Sequence, residues 1–429
     1  MSSLPKLNFS GRKSSTLVGL DIQPGYVAAV QARVNGSIVT QRAAGAQLPG
    51  DTVREGEVLN LEALSDVLRE MFESSQLDRR VRIGVANQRA VLRMLELPPV
   101  TDRKELAAAV RFQAEDQVPM PLSNAVLDFQ SLGVVETPNG PRQRVVLVAA
   151  QRDMVERLLT AARAAGLRPE GVDLSAFALI RALYRPDTSG EGGRVLYLNV
   201  GGLTNMAIAE GTICQFTRVV SGGLEAMAIE VAERREMSLD QARNLLSSTT
   251  LGAGAPHLQS VAQAPPEAPL SEEQTPAAEP DFSLARPDMP TEVTSHEDLS
   301  GAHDPSANPP AEGEPGGYES SQASSAAPAG GDELADVRLV LENGVREIAG
   351  EVRNSLDFHR SQDGGGTVSS VVLSGAALEI DGFAQALQGD LGITVHCESI
   401  STENSDSLMG VSPQRLAVAA GLAAEEVHQ

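Results

Sequence analysis

The stretch VLYLNVGGLTNMAIAEGTICQF, residues 195–216, reads as an apolar strand, a glycine turn and a second strand running back from it. Asn199 stands at the mouth of that turn, where a phosphate-and-magnesium site would carry an aspartate. The same grammar occurs earlier in GLDIQPGYVAAVQARVNGSI, residues 19–38, where Asn35-Gly36 makes a hairpin turn between the second and third strands. Placing Asp21 on Asn199 aligns three strands and two turns in the same order, with Glu210-Gly211 answering Asn35-Gly36. Such a repeat predicts two related lobes.

Strand and helix signals alternate around these two stretches. LEALSDVLREMFESSQ (61–76) places Leu61, Leu64, Leu68, Met71 and Phe72 on one helical face, and VRIGVA (81–86) reads as a buried strand. A helix over 103–117 sets Leu106, Val110 and Ala114 inward, and Pro119 and Pro121 force an extended exit. Asp153 reads as a helix N-cap and Gly166 as that helix's stop. A long helix over 333–361 carries Leu334, Val337, Leu341, Val345, Ile348, Val352 and Leu356 along one stripe. VSSVVLSGAALEIDGFAQALQGDLGITV (368–395) is a buried strand, the turn Ser374-Gly375-Ala376, a helix and a short strand.

Composition narrows the function. The chain has 429 residues and a formal charge of −23, which argues against nucleic acid and anionic lipid as partners. The two cysteines, Cys214 and Cys397, sit in apolar runs and read as small buried hydrophobes. The first sixteen residues hold no apolar signal region and no run is long enough to span a bilayer, so a cytosolic protein without direct membrane insertion is expected. From Leu251 to Gly331 lie thirteen of the 25 prolines and thirteen acidic residues against the single Arg286, about half the net charge of the chain. So polar a segment cannot bury enough surface to fold, and 251–331 is expected to be a disordered acidic insert, either an inert linker or a tether for a partner. The six histidines show no paired metal spacing, and no G-x-S-x-G nucleophile signature occurs.

Two strand-turn-strand loops facing each other across a cleft can cradle a polyphosphate, because glycines let backbone N–H groups approach closely. That arrangement is the one found in the actin, sugar-kinase and heat-shock-chaperone superfamily. Taken with FQAEDQVPMPL (112–122), the run from 147 to 183, FTRVVSGG (216–223), VRNSLDFHRSQ (352–362) and LAVAAGLA (416–423), the order of these pieces strongly resembles the type IV pilus assembly protein PilM family, actin-like proteins related to the cell-division protein FtsA. The resemblance implies a two-lobed actin-like α/β fold with an extra small α+β subdomain in the first lobe. The parts would be a flexible tail (1–16), a first lobe (17–86 and 173–193, subdomain 1A), the small 1C-like subdomain (87–172) and a second lobe (194–250 and 332–429, 2A/2B). It further implies a groove that receives the cytoplasmic N-terminal segment of a PilN-like bitopic inner-membrane protein, with Arg111, Phe112, Glu115, Gln117, Val118 and Pro119 as the contact residues. Pilus motor or platform proteins are further expected partners, and the protein would sit in the cytoplasm against the inner membrane through PilN.

The nucleotide cleft implied by the resemblance would be lined by Asp21, Gln23, Gly25, Asn199, Gly201, Gly202, Thr204, Gly222, Gly223, Arg243 and Gly375. Several of these depart from the family pattern. The first loop usually reads D-I-G-S followed by a phosphate lysine, but Asp21-Ile22-Gln23-Pro24-Gly25 is followed by Val27 and Ala28. Asn199 replaces the aspartate that faces magnesium, and a neutral amide is the poorer acceptor. Ala242-Arg243-Asn244 stands where an A-E-x-x-K-like run is usual, and Ala376-Ala377 follow Gly375 in place of further glycines. ATP and magnesium binding is therefore expected to be weak or lost and the protein to be a pseudo-ATPase, not an enzyme. Plain readings also stand: Asp21 as a strand-end turn residue, and Gly201, Gly202, Gly222 and Gly223 as tight turns. Two other functions of the superfold remain as alternatives: an active ATPase or small-molecule kinase, and an FtsA-like filament former.

Overall fold

The computed structural model describes residues 17–35, 37–186, 193–252, 334–362, 365–403 and 405–424. The expected tail 1–16, nearly all of the acidic insert and Gly36 of the first hairpin turn lie outside the described residues.

The chain opens with an antiparallel meander, β1 (Val18–Gln23), β2 (Tyr26–Asn35) and β3 (Ser37–Gln47). Pro24 and Gly25 turn β1 into β2; Gly25 has φ +77°, a conformation glycine enters without a Cβ penalty. A two-residue hairpin pairs β4 (Val53–Arg54) with β5 (Glu57–Val58). Helix α1 (Leu61–Ser75) is capped by Asn60, whose side chain accepts from Ala63 N, and it buries Leu64, Leu68, Met71 and Phe72 as its periodicity predicts. Strand β6 (Arg80–Val85) then pairs parallel to β1.

The small subdomain follows: β7 (Ala90–Leu97), α2 (Arg103–Gln117), β8 (Ala125–Thr137) and β9 (Gly140–Gln151) form a sheet of order β7-β9-β8. Leu106, Val110 and Ala114 of α2 pack on Leu95, Val145, Leu147 and Ala149 of that sheet. The chain then returns through α3 (Arg152–Ala164), β10 (Arg168–Leu174) and α4 (Ser175–Leu183). The expected small subdomain of 87–172 differs from the sheets at its C-terminal side. β10 pairs parallel to β6 in the first sheet, and Leu158, Ala161 and Ala162 of α3 share the core of α1. Gln151, not Asp153, holds the N-cap position of α3, whereas Gly166 at φ +79° does follow its end.

The second lobe repeats the meander with β11 (Arg194–Val200), β12 (Thr204–Glu210) and β13 (Ile213–Val220). Helices α5 (Leu224–Arg235), α6 (Leu239–Ser248) and α7 (Ala335–Ser361) cover one face, and β14 (Val368–Ser374), α8 (Phe383–Leu391) and β15 (Val395–Cys397) complete the layer. The five-stranded order β13-β12-β11-β14-β15 matches β3-β2-β1-β6-β10 of the first sheet, a meander followed by two parallel strands. The α7 stripe from Val337 to Leu356 is buried, each such side chain contributing about 1.5–3 kcal/mol, while Leu334 is exposed at its start. Cys214 is buried as expected of a small hydrophobe, but Cys397 is exposed.

The last stretch crosses back, which departs from the expected second lobe of 332–429. β16 (Ser401–Thr402) pairs with β3, and α9 (Ala417–Ala423) lies between α4 and β1. Two glycines permit this approach: a Cβ on Gly19 would overlap the Ala419 carbonyl, and one on Gly421 the Ala178 carbonyl. An alanine-rich helix on glycine-bearing partners thus reaches a depth that larger side chains would forbid.

Candidate functional site

The two glycine turns face each other between the lobes, and they touch. The Gln23 side chain donates from Nε2 to Asp21 Oδ2 at 2.6 Å and accepts at Oε1 from the Gly202 N–H at 3.1 Å. A Cβ on Gly202 would overlap the Pro24 carbonyl, and one on Gly201 would overlap the Gln23 amide. Glycines that let a backbone approach a ligand here let one lobe approach the other.

Asp21 is 3% exposed, and burial pushes its carboxyl up to about 6, the Gln23 hydrogen bond opposing that rise. Asn199 is buried as well, and its Oδ1 accepts from the Ser374 hydroxyl at 3.1 Å, tying β11 to the end of β14. Thr204 begins β12 fully buried, its hydroxyl without a partner among the described residues. Gly375, at φ +100°, donates its N–H to the Gln414 carbonyl, and a Cβ there would overlap Val200 O.

Helix α5 begins at the second turn. Gly223 is its N-cap position and offers no side-chain cap, and the Leu224 N–H donates to Gly201 O at 2.8 Å. Glu225 in the first turn is gripped by Arg243 of α6 through Nη2 and through Nε at 2.9 Å. Arg243 also donates from Nη1 to Asp240 at 2.7 Å and, across the cleft, to the Leu48 carbonyl at 3.2 Å. Burial draws the guanidinium pKa down, but Glu225 and Asp240 more than offset this, and Arg243 stays above its ordinary value. A second ion pair spans the lobes on the far side: Arg415 donates to Glu379 at 2.8 and 2.6 Å and stacks 4.6 Å over the Tyr26 ring.

The cavity left among these groups, lined by Tyr26, Gln47, Arg243, Asn244, Glu379 and Arg415, measures about 90 Å³, below the roughly 300 Å³ at which small-molecule pockets begin. In this conformation the donors and the space do not fit a magnesium triphosphate. Gln23 and Pro24 fill the gap between the turns, Asp21 lies behind Gln23, and Asn199 is engaged by Ser374. Among the described residues no group of three His, Cys, Asp or Glu could hold a metal ion.

Of the residues expected in the cleft, Gln23, Gly25, Gly201, Gly202, Gly223 and Arg243 meet there. Gly222 does not: it faces Glu347 in a separate groove. That groove, about 440 Å³, runs between β7 and β13, each the edge strand of its sheet. Gln88 donates to the Ser221 hydroxyl at 3.0 Å across it, and Glu347 and Glu351 of α7 form its floor. Arg218 pairs with Glu351 at 2.8 Å, whereas Glu347 has no ion-pair partner among the described residues. Arg93 lines the groove and donates to the Gln117 carbonyl at the end of α2 at 3.0 Å. The expected contact residues Arg111, Phe112, Glu115, Gln117 and Pro119 are exposed, with Phe112 at 68%, but none lines the groove. Val118, by contrast, is buried in the core of the small subdomain.

Sequence reasoning missed Glu225, Glu379, Arg415 and the Leu48 carbonyl. An acidic residue two places after a glycine pair, with a cation on the next helix, was a signal for the first; the others meet across long separations that no spacing records.

The family described as "Type IV pilus assembly protein PilM" matches residues 19–255, more than half of the chain. A solved structure titled "PilM-PilN type IV pilus biogenesis complex" is similar with TM-score 0.65 and 20% identity, over 95% of this chain and 97% of that one. Looser likenesses are to the ethanolamine utilization protein EutJ from Carboxydothermus hydrogenoformans (TM-score 0.46, 12% identity, 95% and 88% covered) and to MreB 5 of Spiroplasma citri bound to AMPPNP (0.45, 11%, 95% and 95%). The chain shares the two-lobed fold read from the sequence with the first of these structures. No helix among the described residues is long and apolar enough to cross a membrane.

Proposed function

The chain belongs to the type IV pilus assembly protein PilM family, and on that premise we propose that it is a nucleotide-independent adaptor that docks the cytoplasmic N-terminal segment of a PilN-like membrane protein. The observation that carries this reading is the groove between the unpaired edges of β7 and β13. An extended segment laid along it would find backbone donors and acceptors on an open strand edge, the mode by which strand edges capture peptides. Cytoplasmic segments beside membrane spans are rich in Lys and Arg. Glu347, exposed and without an ion-pair partner among the described residues, supplies the complementary charge. The end of α2 supports the groove from behind through the Gln117 carbonyl on Arg93.

The protein is proposed to work without hydrolysis. Its lobes already meet through Gln23, Arg243 and Arg415, which supports a scaffold whose groove does not wait for ATP. Localisation to the cytoplasmic face of the inner membrane follows from such a partner. The test is a calorimetric titration with a peptide copying the N-terminal cytoplasmic segment of a PilN-like protein from the same organism. Saturable 1:1 binding, weakened at least tenfold by Glu347→Lys and indifferent to Mg-ATP, is expected. No binding, or binding that needs Mg-ATP, rejects the reading.

A further inference from the structure

The cleft does more than lack room for a nucleotide: it holds an anion of its own. We propose that the Glu225 carboxylate is a built-in substitute for a ligand phosphate, and that with Arg243 it excludes nucleotide and clasps the lobes shut.

Three observations converge on this assignment. Glu225 lies in the first turn of α5, a helix of twelve residues with no side-chain cap, where the helix dipole favours negative charge. Its carboxylate reaches forward to the first lobe, so close that a Cβ on Gly25 would overlap it. The first turn thus closes on a carboxylate of the chain itself, while Gln23 and Pro24 fill the space against Gly201 and Gly202 of the second. The cation is internal as well. Arg243 is 11% exposed at its side chain, forks onto Glu225 in the parallel geometry that suits carboxylates and phosphates alike, and uses its remaining nitrogen on Asp240 and on the Leu48 carbonyl of the opposite lobe.

The arrangement explains the oddity of Arg243. A cation on α6 would be a phosphate contact in an open cleft, yet here its charge is spent on Glu225, whose charge in turn repels any incoming phosphate. A small anion could enter only by displacing Glu225 from a buried guanidinium, which leaves a buried charge unpaired. Glu225 is thus the specificity-determining residue of the cleft, and what it specifies is exclusion.

The clasp does not depend on what the β7–β13 groove binds, and its test does not use the peptide. Inorganic pyrophosphate and Mg-ADP are titrated calorimetrically into the full-length native protein, into Glu225→Ala and into Glu225→Gln, which keeps the side-chain volume and removes the charge. The native protein is expected to bind neither probe below millimolar concentration. Each of the two variants that folds by circular dichroism is expected to bind pyrophosphate at least tenfold more tightly than the native protein, and Arg243→Ala in the same background is expected to abolish the gain. Micromolar binding of either probe by the native protein overturns the proposal. So does a folded Glu225→Gln that gains nothing, because removal of the charge alone must then be irrelevant.

Discussion

Gln23 accepts a hydrogen bond from the Gly202 N–H at 3.1 Å, joining two turns 179 residues apart in the chain, and the same amide donates to the buried carboxyl of Asp21. One side chain thus satisfies a buried acceptor in the first lobe and a backbone donor in the second. Gln23→Ala strands both groups. The expected cost is about 1–3 kcal/mol, the penalty for unpaired buried polar groups. Urea denaturation checks it, and an unchanged midpoint would mean that water serves both groups as well as Gln23 does.

Asp21 predicts a pH dependence. Its folded-state pKa is raised to about 6 from an ordinary 3.8 by burial, so the folded state binds its proton more tightly than the unfolded chain. Between those values the native state carries more protons, and stability falls as pH rises through the window. Asp21→Asn removes the ionisable group. The variant is expected to match the native protein at pH 4 and to exceed it above pH 7 by up to about 3 kcal/mol, a ceiling set by about 1.4 kcal/mol per pKa unit. Denaturation midpoints at both pH values give the comparison.

Two glycines in helices should respond in opposite directions to the same substitution. A Cβ on Gly350 in α7 meets nothing within 4 Å, so Gly350→Ala is expected to stabilise by about 1 kcal/mol through helix propensity. Gly421 in α9 abuts the Ala178 carbonyl, so Gly421→Ala must push α9 away from α4 and is expected to cost about 1–3 kcal/mol beyond any propensity gain. Thermal unfolding of the two variants side by side distinguishes local propensity from packing.

Val118 and Phe112 separate core from surface on one short stretch. Val118 is buried beneath α2, and Val118→Ala is expected to destabilise by about 1–3 kcal/mol. Phe112→Ser, at a side chain 68% exposed, is expected to leave stability within about 0.5 kcal/mol of native. Melting temperatures decide both, and a large loss for Phe112→Ser would mean that this ring packs against something in solution.

What the sequence determined by itself is the local grammar and its repetition. Alternating apolar runs, the Gly25 and Gly201-Gly202 turns and the stripes of α1, α2 and α7 are set by periods of two and 3.6 residues, which neighbours in the chain suffice to express. The order of these pieces also sufficed to identify the family, because a topology of two repeated meanders leaves its mark in spacing. Tertiary structure alone decided where edges and charges meet. β10 and α9 join the first lobe because β6 had an open parallel edge and Gly19 a bare backbone, facts that no local window contains. The sequence places Asn199 where an aspartate facing magnesium is usual, but does not say what its amide touches. Asn199 is a buried hydrogen-bond partner of Ser374, 175 residues away, just as Arg243 is a partner of Glu225 and Leu48. Burial and pairing of a polar side chain depend on which distant groups share its low-dielectric surroundings, and that is settled only when the lobes close.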